Sequence, residues 1–248
     1  MRPDLAGQVA VVTGGTRGLG AAISTALLEA GAVVHAAYRG NEAAARAFAD
    51  RAAVHGARLA LHRLDVADYA AVEAFWTRID ALAPQGVQIL VNNAGIRRDA
   101  IVGTMSSEDW NAVIGTNLSG SFHMSKFAVQ SMLRGRYGRI VFVTSPSGEH
   151  GFAGQGNYAA SKAGQVGLMR SLAREVGRKK ITVNCVSPGF VETELLADLP
   201  EEKRKEHLAR VPLARFGKPE EIAWAVLALC APEASYVHGA VLEVTGGI

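Results

Sequence analysis

The chain has 248 residues, of which 49% are hydrophobic and 20% charged, and its net charge is +3. This composition supports a packed core and excludes wholesale disorder, and the even, dispersed charge argues against a nucleic-acid binder. No apolar run approaches the roughly 18 residues of a membrane span, and the polar start predicts no signal peptide. Cys185 and Cys230 form neither a disulfide framework nor a zinc spacing, so we expect no metal site and a reducing, cytoplasmic setting.

Short β-branched runs alternate with longer amphipathic stretches along the chain. Strands are predicted at 9–13, 33–38, 59–64, 89–93, 139–144, 182–186 and 240–244. Helices are predicted from the first glycine-rich turn to about 30, at 42–55, at 69–82, from 107 followed by a long helix to about 134, at 158–177 and at 219–229. This alternation predicts an α/β fold in which helices cover both faces of a doubly wound, parallel, seven-stranded sheet.

One segment departs from this alternation. Residues 192–212 are charged and lack a strand pattern, which predicts a helical excursion over a site, a lid, or else a plain surface insertion. Residues 1–248 show no linker or repeat and are expected to form a single domain.

A glycine-rich turn at residues 13–20 joins the first strand to the first helix. A side chain there would block the approach of a pyrophosphate to the backbone, and the helix N-terminus supplies free N–H groups and a partial positive charge. The turn therefore predicts a dinucleotide site, with Gly14, Thr16, Arg17, Gly18, Leu19 and Gly20 as its residues.

The end of the second strand indicates which dinucleotide binds. An NAD enzyme usually places an acid there, whereas this chain has Arg39, and Arg17 lies in the glycine-rich turn. Two arginines suit a 2′-phosphate, so NADP(H) is the predicted cofactor; the alternative is that both are solvated surface residues. Asp65 and Val66 follow the third strand, and Asp65 either lies near the adenine or caps the next helix.

Several polar residues are predicted to meet at the carboxyl edge of the sheet. Tyr158 and Lys162 are four residues apart on one helix face, and a nearby ammonium should lower the Tyr pKa from ~10. Ser145 ends the fifth strand and could donate to a carbonyl oxygen that gains charge. Asn117 lies mid-helix, and Asn92, Asn93, Ala94 and Gly95 end the fourth strand. Each alone has an ordinary structural explanation, but their convergence predicts an active site.

The motifs above resemble the short-chain dehydrogenase/reductase family across essentially the whole chain, which implies a Rossmann-like fold. Within that family the chain is most similar to the 3-oxoacyl-[acyl carrier protein] reductases. The matching segments are 13–20, 92–99, Asn117, Ser145, 154–162, 171–176, 186–193 and 212–222.

The resemblance implies a mechanism. NADPH would deliver hydride to a ketone carbon while Tyr158 protonates the oxygen and Ser145 orients it. Lys162 would lower the Tyr pKa and hold the nicotinamide ribose, and Asn117 would position a water in the proton relay. Pro188, Gly189, Val191 and Thr193 would line the nicotinamide end.

The loop after Ser145 departs from the family pattern, because Pro146 stands where an aliphatic residue is usual. Proline disfavours the α region for the residue before it, so Ser147 is an alternative to Ser145. Glu149 and His150 follow, either as a solvated loop or as determinants of an altered acyl preference.

The resemblance also suggests partners. An acyl carrier protein is acidic, and Arg136 and Lys179 match positions that contact the carrier in similar reductases. They belong to two basic clusters, 134–139 and 178–180, at the amino ends of strands, which could instead only keep the surface soluble. The family commonly forms homotetramers, and the apolar tail at 241–248 fits either such an interface or an ordinary final strand.

Three functions compete. The first is NADPH-dependent reduction of a 3-oxoacyl thioester. The second is action on another ketone or alcohol, such as acetoacetyl-CoA, a polyketide or a steroid. The third is a regulator that keeps the fold without catalysis, which the presence of Asn117, Ser145, Tyr158 and Lys162 argues against.

Overall fold

The computed structural model describes residues 3–193 and 200–248, and its centre is a seven-stranded parallel sheet. The strands are β1 (Val9–Thr13), β2 (Val33–Tyr38), β3 (Leu59–Arg63), β4 (Ile89–Asn92), β5 (Gly138–Val143), β6 (Ile181–Pro188) and β7 (Val241–Val244). The α/β, Rossmann-like fold predicted from the sequence is confirmed. Predicted and observed strands agree to within a residue at most ends, and β6 is longer than predicted.

The strand order is β3-β2-β1-β4-β5-β6-β7. The chain winds outward from β1 to β3 and then returns to place β4 on the other side of β1. This reversal opens a crevice beyond the carboxyl ends of β1 and β4, where open α/β sheets bind ligands. Because all neighbouring strands are parallel, the segments that follow β1, β4, β5 and β6 reach the same edge.

Helices cover both faces of the sheet. They are α1 (Gly18–Glu29), α2 (Glu42–Arg51), α3 (Tyr69–Leu82), α4 (Ser107–Val113), α5 (Gly120–Gly135), α6 (Ser147–His150), α7 (Gly156–Val176), α8 (Glu201–Ala209) and α9 (Pro219–Cys230). Residues of α1 and α9 pack against one face, and residues of α3, α5 and α7 pack against the other. Among the described residues, none of the helices has the length and apolar character needed to cross a membrane.

Two helices differ from their predicted form. The predicted helix 42–55 ends at Arg51, and a 3₁₀ segment (Ala53–Arg58) containing Gly56 at φ 56° follows. Residues Ile114–Ser119 form a π-helical turn between α4 and α5, so Asn117 lies in a π turn and not in regular helix. Such turns occur often at functional sites. The predicted excursion at 192–212 contains α8, while residues 194–199 lie outside the described part.

One member of the predicted basic clusters is buried. Arg139 lies in β5 and is only 2% exposed. Its guanidinium donates to the carbonyls of Ala231 and Pro232, both at 3.2 Å, just beyond the C-terminus of α9. A cation is favoured at the end of a helix, so Arg139 joins β5 to α9. The surface cluster before β5 therefore reduces to Arg134 and Arg136, and its inclusion of Arg139 was wrong.

Both cysteines belong to the core. Cys185 and Cys230 are buried free thiols, and burial raises the pKa of each to about 12. A thiol with so high a pKa carries almost no reactive thiolate, so both cysteines are packing residues.

A buried histidine pair between β2 and β3 makes stability depend on pH. His35 Nδ1 lies 2.9 Å from His62 Nε2, and burial lowers the pKa of His35 to about 4. The unfolded chain therefore binds more protons below pH 6.5, so stability is full above that pH and falls as the pH drops towards 4.

We expect acidification from pH 7 to 5.5 to cost about 1 kcal/mol through His35, which lowers the Tm by roughly 2–4 °C. Thermal unfolding of the wild type and of His35→Leu at both pH values measures this. The variant should lose that share of the pH dependence; equal Tm shifts in the two proteins would contradict the assignment.

Candidate active site

The glycine-rich loop after β1 is held to the end of β4 by hydrogen bonds. Asn93 Nδ2 donates to the carbonyls of Thr13 (2.9 Å) and Gly14 (3.1 Å), and Thr13 Oγ1 accepts from the backbone N–H groups of Asn93 and Ala94. A Cβ on Gly20 would stand 1.9 Å from the Gly14 oxygen. Only glycine permits this approach, so the loop is a cradle of backbone with no room for side chains.

The rest of this loop opens α1. Thr16 is buried, Leu19 is partly buried, and Arg17 is the exposed N-cap residue of the helix. Gly18 has φ 50°, and Thr193 from the segment after β6 lies 4.0 Å from where its Cβ would be. The predicted phosphate-binding residues and the predicted nicotinamide-end residue Thr193 therefore border one crevice.

The end of β2 carries the expected cation. The Arg39 guanidinium lies 3.8 Å from the Asp65 carboxylate, and both side chains are largely exposed. Asp65 accepts from the Ala67 N–H, whereas Asp68 accepts from the Ala71 N–H and caps α3. The helix-cap alternative for Asp65 was therefore wrong. The Val66 side chain packs against Gly120 of α5 and is buried.

The segment after β4 contacts the π turn. Asn92 is buried and donates to Ser125 Oγ at 2.9 Å. A Cβ on Gly95 would stand 3.4 Å from Asn117 Oδ1 and 3.7 Å from Lys162 Nζ, so this glycine lies between the two polar groups. The end of β4 and the catalytic candidates are thus adjacent.

Asn117 is fully buried and its side chain is fixed at three points. Its Oδ1 accepts from the Ile96 N–H at 2.8 Å, and its Nδ2 donates to the Ile96 carbonyl at 3.0 Å and to Ser161 Oγ at 3.1 Å. Because the amide is fully engaged, it holds the π turn against α7. The Asn117 backbone carbonyl also contacts α7, where it accepts from Gln165 Nε2 at 2.9 Å.

Ser145, Tyr158 and Lys162 lie together. Tyr158 and Lys162 project from α7, and Lys162 Nζ is 5.5 Å from the Tyr158 ring centre. Ser145 follows β5 and lies close enough to Tyr158 to lower the pKa of its phenol, and the Ser145 hydroxyl donates to Ser147 Oγ at 3.2 Å. Lys162 is 4% exposed and donates to the Val143 carbonyl at 2.8 Å.

The pKa of Tyr158 differs from the expectation. Burial raises the pKa of Tyr158, opposed by the neighbouring Ser145 side chain and by the charge of Arg97. Burial also lowers the pKa of Lys162, to about 8. The predicted lowering of the Tyr158 pKa by Lys162 was wrong for this structure, because burial dominates and Lys162 is not one of the groups that shift this pKa. In this structure Tyr158 therefore keeps its proton at neutral pH.

The proline after Ser145 starts a short helix. Pro146 has φ −56° and ψ −24°, and Ser147 is buried, with its hydroxyl accepting from Ser145 and donating to Gln155 Oε1 at 3.1 Å. Ser145, partly exposed, is the serine next to Tyr158, and Ser147 supports it. Glu149 and His150 are both exposed on α6.

The segment after β6 closes the crevice. Gly189 donates to the Val244 carbonyl at 3.0 Å, and a Cβ on it would come 2.8 Å from the Thr245 backbone. Pro188 ends β6, and Val191 is buried in a bridge with Gly217. These contacts put Pro188, Gly189 and Val191 at the carboxyl edge of the sheet, where the resemblance expects the nicotinamide end.

Sequence reasoning missed two side chains. The Arg97 guanidinium lies 5.8 Å from the Tyr158 ring centre and pairs with Asp99. Gln165 accepts from Lys162 Nζ at 3.1 Å and is fully buried. Gln165 could have been noticed as a polar residue three positions after Lys162, hence on its helix face; no local pattern marks Arg97.

Comparison with known proteins places the chain in a family. The family model described as enoyl-(acyl carrier protein) reductase matches residues 14–248. The 3-oxoacyl-[acyl-carrier-protein] reductase FabG of Escherichia coli is 44% identical over 242 residues, 98% of this chain and 97% of that protein. The FabG of Vibrio harveyi is 43% identical over 245 residues, 99% and 98% of the two chains. The acetoacetyl-CoA reductase of Shinella zoogloeoides is 41% identical over 242 residues, 97% and 98%.

The fold, the family match and the relatives together show a dinucleotide-dependent oxidoreductase. Given a family match over most of the sequence and relatives 41–44% identical over nearly their whole length, the chain belongs to the short-chain dehydrogenase/reductase family. The family resemblance noted in the sequence is thereby confirmed.

Proposed function

We propose that the protein reduces the ketone of a 3-oxoacyl thioester to the 3-hydroxyacyl thioester, with NADPH as the reductant. The partly exposed pair Ser145 and Tyr158, at the sheet edge that also carries the glycine-rich loop, carries this proposal, because a proton donor there would face a bound nucleotide. The names of the relatives favour the oxoacyl thioester as substrate. NADPH, when bound, supplies the hydride.

The side chains of the protein supply the proton and stabilise the negative charge that develops during the reaction. Tyr158 donates its proton to the ketone oxygen, and Ser145 donates a hydrogen bond to the same oxygen as negative charge develops there. Lys162 holds positive charge beside Tyr158, which stabilises the phenolate left behind. Asn117 holds the turn that faces Lys162.

The crevice residues fit a dinucleotide phosphate. Gly14 and Gly20 leave backbone where a pyrophosphate must approach, and the N-terminus of α1 offers free N–H groups. Arg17 and Arg39 would bind a 2′-phosphate. The remaining contacts would come from Thr16, Gly18, Leu19, Asp65, Val66, Asn92, Ala94, Gly95, Tyr158, Lys162, Pro188, Gly189, Val191 and Thr193.

An assay of NADPH oxidation tests the function. A 3-oxoacyl thioester on an acyl carrier protein, acetoacetyl-CoA and an enoyl thioester are compared at equal concentration, with NADH in parallel. We expect the carrier-linked ketone and NADPH to give the highest kcat/KM. A higher kcat/KM for acetoacetyl-CoA would mean that the natural substrate is a CoA thioester. Turnover of the enoyl thioester alone would refute ketone reduction.

Arg39 is expected to set the cofactor preference. Because a charge-assisted hydrogen bond contributes about 1.5–3 kcal/mol, Arg39→Ala should raise the KM for NADPH roughly 10–100-fold and leave that for NADH within about threefold. Steady-state kinetics with both cofactors measures this, with Arg51→Ala on α2 as the control. An unchanged KM for NADPH would remove Arg39 from the site.

The acyl carrier protein is proposed to dock at the amino edge of the sheet. Arg136 and Lys179 are exposed in the turns before β5 and β6, and these turns are joined by a hydrogen bond from the Gly138 N–H to the Lys180 carbonyl. This edge is opposite the crevice, so the carrier would serve the site of a neighbouring subunit. A homotetramer, proposed from the family, provides such neighbours.

We expect Arg136→Glu combined with Lys179→Glu to raise the KM for the carrier-linked substrate about tenfold or more, because an acidic partner is then repelled. The KM for acetoacetyl-CoA should stay within about twofold. Light scattering checks that the assembly is intact. If both substrates are used as well as before, docking lies elsewhere.

A further inference from the structure

The side chain of Gln165 bridges the Lys162 ammonium and the π turn. Its Oε1 accepts from Lys162 Nζ at 3.1 Å, while its Nε2 donates to the Asn117 carbonyl at 2.9 Å and to Ser121 Oγ at 2.7 Å. Gln165 is 0% exposed and Ser121 4%. An amide this deeply buried is retained only with its hydrogen bonds satisfied, and here every polar group of the side chain has a partner.

The orientation of this amide is dictated by its neighbours. Ser121 Oγ donates its one proton to the Asn117 carbonyl at 2.6 Å, so it can only accept from Gln165. The Asn117 carbonyl is also an acceptor. Both groups require N–H donors, which turns the carbonyl oxygen of Gln165 towards Lys162.

The ammonium of Lys162 is stabilised by dipoles. Within residues 3–193 and 200–248 it makes no ion pair with a carboxylate, and its hydrogen bonds go to the Val143 carbonyl and Gln165 Oε1. The titratable groups that face it are Tyr158 on its own helix and Cys185 on β6. Because burial disfavours the charged form, each of the two carbonyl contacts helps to keep Lys162 protonated.

We propose that Gln165 is a positioning residue of the reduction, which anchors the Lys162 ammonium to the Asn117 turn and keeps it charged beside Tyr158. The inference rests on the proposed function. An amide cannot pass a proton from its oxygen to its nitrogen side without becoming an imidic acid. Gln165 therefore fixes Lys162 without conducting protons. When Lys162 gives a proton to the Tyr158 phenolate, the lone pair left on Nζ takes up the replacement proton from a donor other than Gln165.

Two substitutions at Gln165 test this, with Gln130→Leu on the exposed side of α5 as the matched control. Gln165→Leu removes the carbonyl from Lys162 and should lower its pKa by about one unit. Gln165→Glu places a carboxylate there and should raise it. The pKa of Lys162 is measured in the cofactor-free protein by competitive acetylation and mass spectrometry across pH, and thermal unfolding confirms that each variant is folded.

The pH profile of kcat gives the second readout. We expect the alkaline limb to move about one unit to lower pH in Gln165→Leu and to higher pH in Gln165→Glu, with the ketone KM within about threefold. A purely structural role would lower kcat at every pH and leave the limb in place. Unchanged Lys162 pKa values in both variants overturn the proposal; if Gln165→Leu does not fold, Gln165→Glu decides alone.

The acetylation measurement uses no substrate. It therefore decides the role of Gln165 even if the substrate assay refutes ketone reduction.

Discussion

Replacing Tyr158 by phenylalanine is expected to lower kcat for ketone reduction about 10³-fold, within the range that loss of a general acid causes. The ring should stay in place, because phenylalanine keeps the ring and with it the Arg97 guanidinium over its face, 5.8 Å from the ring centre. The dissociation constant for NADPH, measured by nucleotide fluorescence, should change by less than about threefold.

A matched substitution shows whether the loss of activity is specific to the Tyr158 hydroxyl or follows from removing any tyrosine hydroxyl. Tyr69 lies at the start of α3, where its hydroxyl accepts from Lys126, and it is not among the proposed site residues. Tyr69→Phe should keep kcat within about twofold. If Tyr158→Phe kept more than a tenth of the wild-type kcat, the proton would have to come from another group and the proposed mechanism would fail.

The ionisation of Tyr158 also bears on the direction of the reaction. Burial raises the pKa of Tyr158, so the free enzyme presents a neutral phenol, which is the form that a reduction consumes. An alcohol oxidation would need the phenolate instead. The protonation state of Tyr158 at neutral pH thus matches the form that ketone reduction consumes.

The fold could be predicted from the sequence because the local and global signals agree. Buried parallel strands are apolar on both faces, as in β5, where the four residues after Arg139 are all apolar and buried. Polar residues therefore begin where the buried strands end, and in a parallel sheet the carboxyl ends of the strands lie at one edge. Ser145 and the residues 92–95 were predicted to be neighbours on this argument alone.

The errors come from contacts between residues distant in sequence. Arg139 looks like a surface residue because arginine usually is one, and only the return of the chain after α9 supplies the carbonyls that accept its protons. Asp65 was considered as the cap of α3, but Asp68 is the N-cap residue; two acidic residues near a predicted helix start are hard to tell apart from sequence. Gln165 was missed because its partners, Asn117 and Ser121, come from another helix.

The sequence left two candidates for the catalytic serine after β5, and the tertiary structure favours one of them. Pro146 left both Ser145 and Ser147 as candidates. Ser147 is drawn into the short helix α6 and donates to Gln155, which buries it. Ser145 remains at the crevice next to Tyr158, and its hydroxyl is the one that a substrate oxygen can reach.

Gly20→Ala is expected to abolish measurable NADPH binding and to lower the Tm by more than about 8 °C. The added Cβ would stand 1.9 Å from the Gly14 oxygen and 2.6 Å from Asn93 Nδ2. The Gly14 oxygen can move away only if the glycine-rich loop opens, and Asn93 Nδ2 only if its hydrogen bonds to the Thr13 and Gly14 carbonyls break. Loss of a packed loop and its hydrogen bonds costs several kcal/mol, which for a chain of this length is a large Tm shift.

Gly103→Ala is the matched control, because a Cβ at Gly103 meets nothing within 4 Å and the residue lies in an exposed 3₁₀ segment. It should keep NADPH binding within about twofold and the Tm within about 1 °C. Binding is measured by fluorescence titration at a temperature where thermal unfolding shows Gly20→Ala to be folded. If that folded variant bound NADPH with near wild-type affinity, the backbone of this loop would not be the phosphate cradle, and the nucleotide site would have to be sought elsewhere along the crevice.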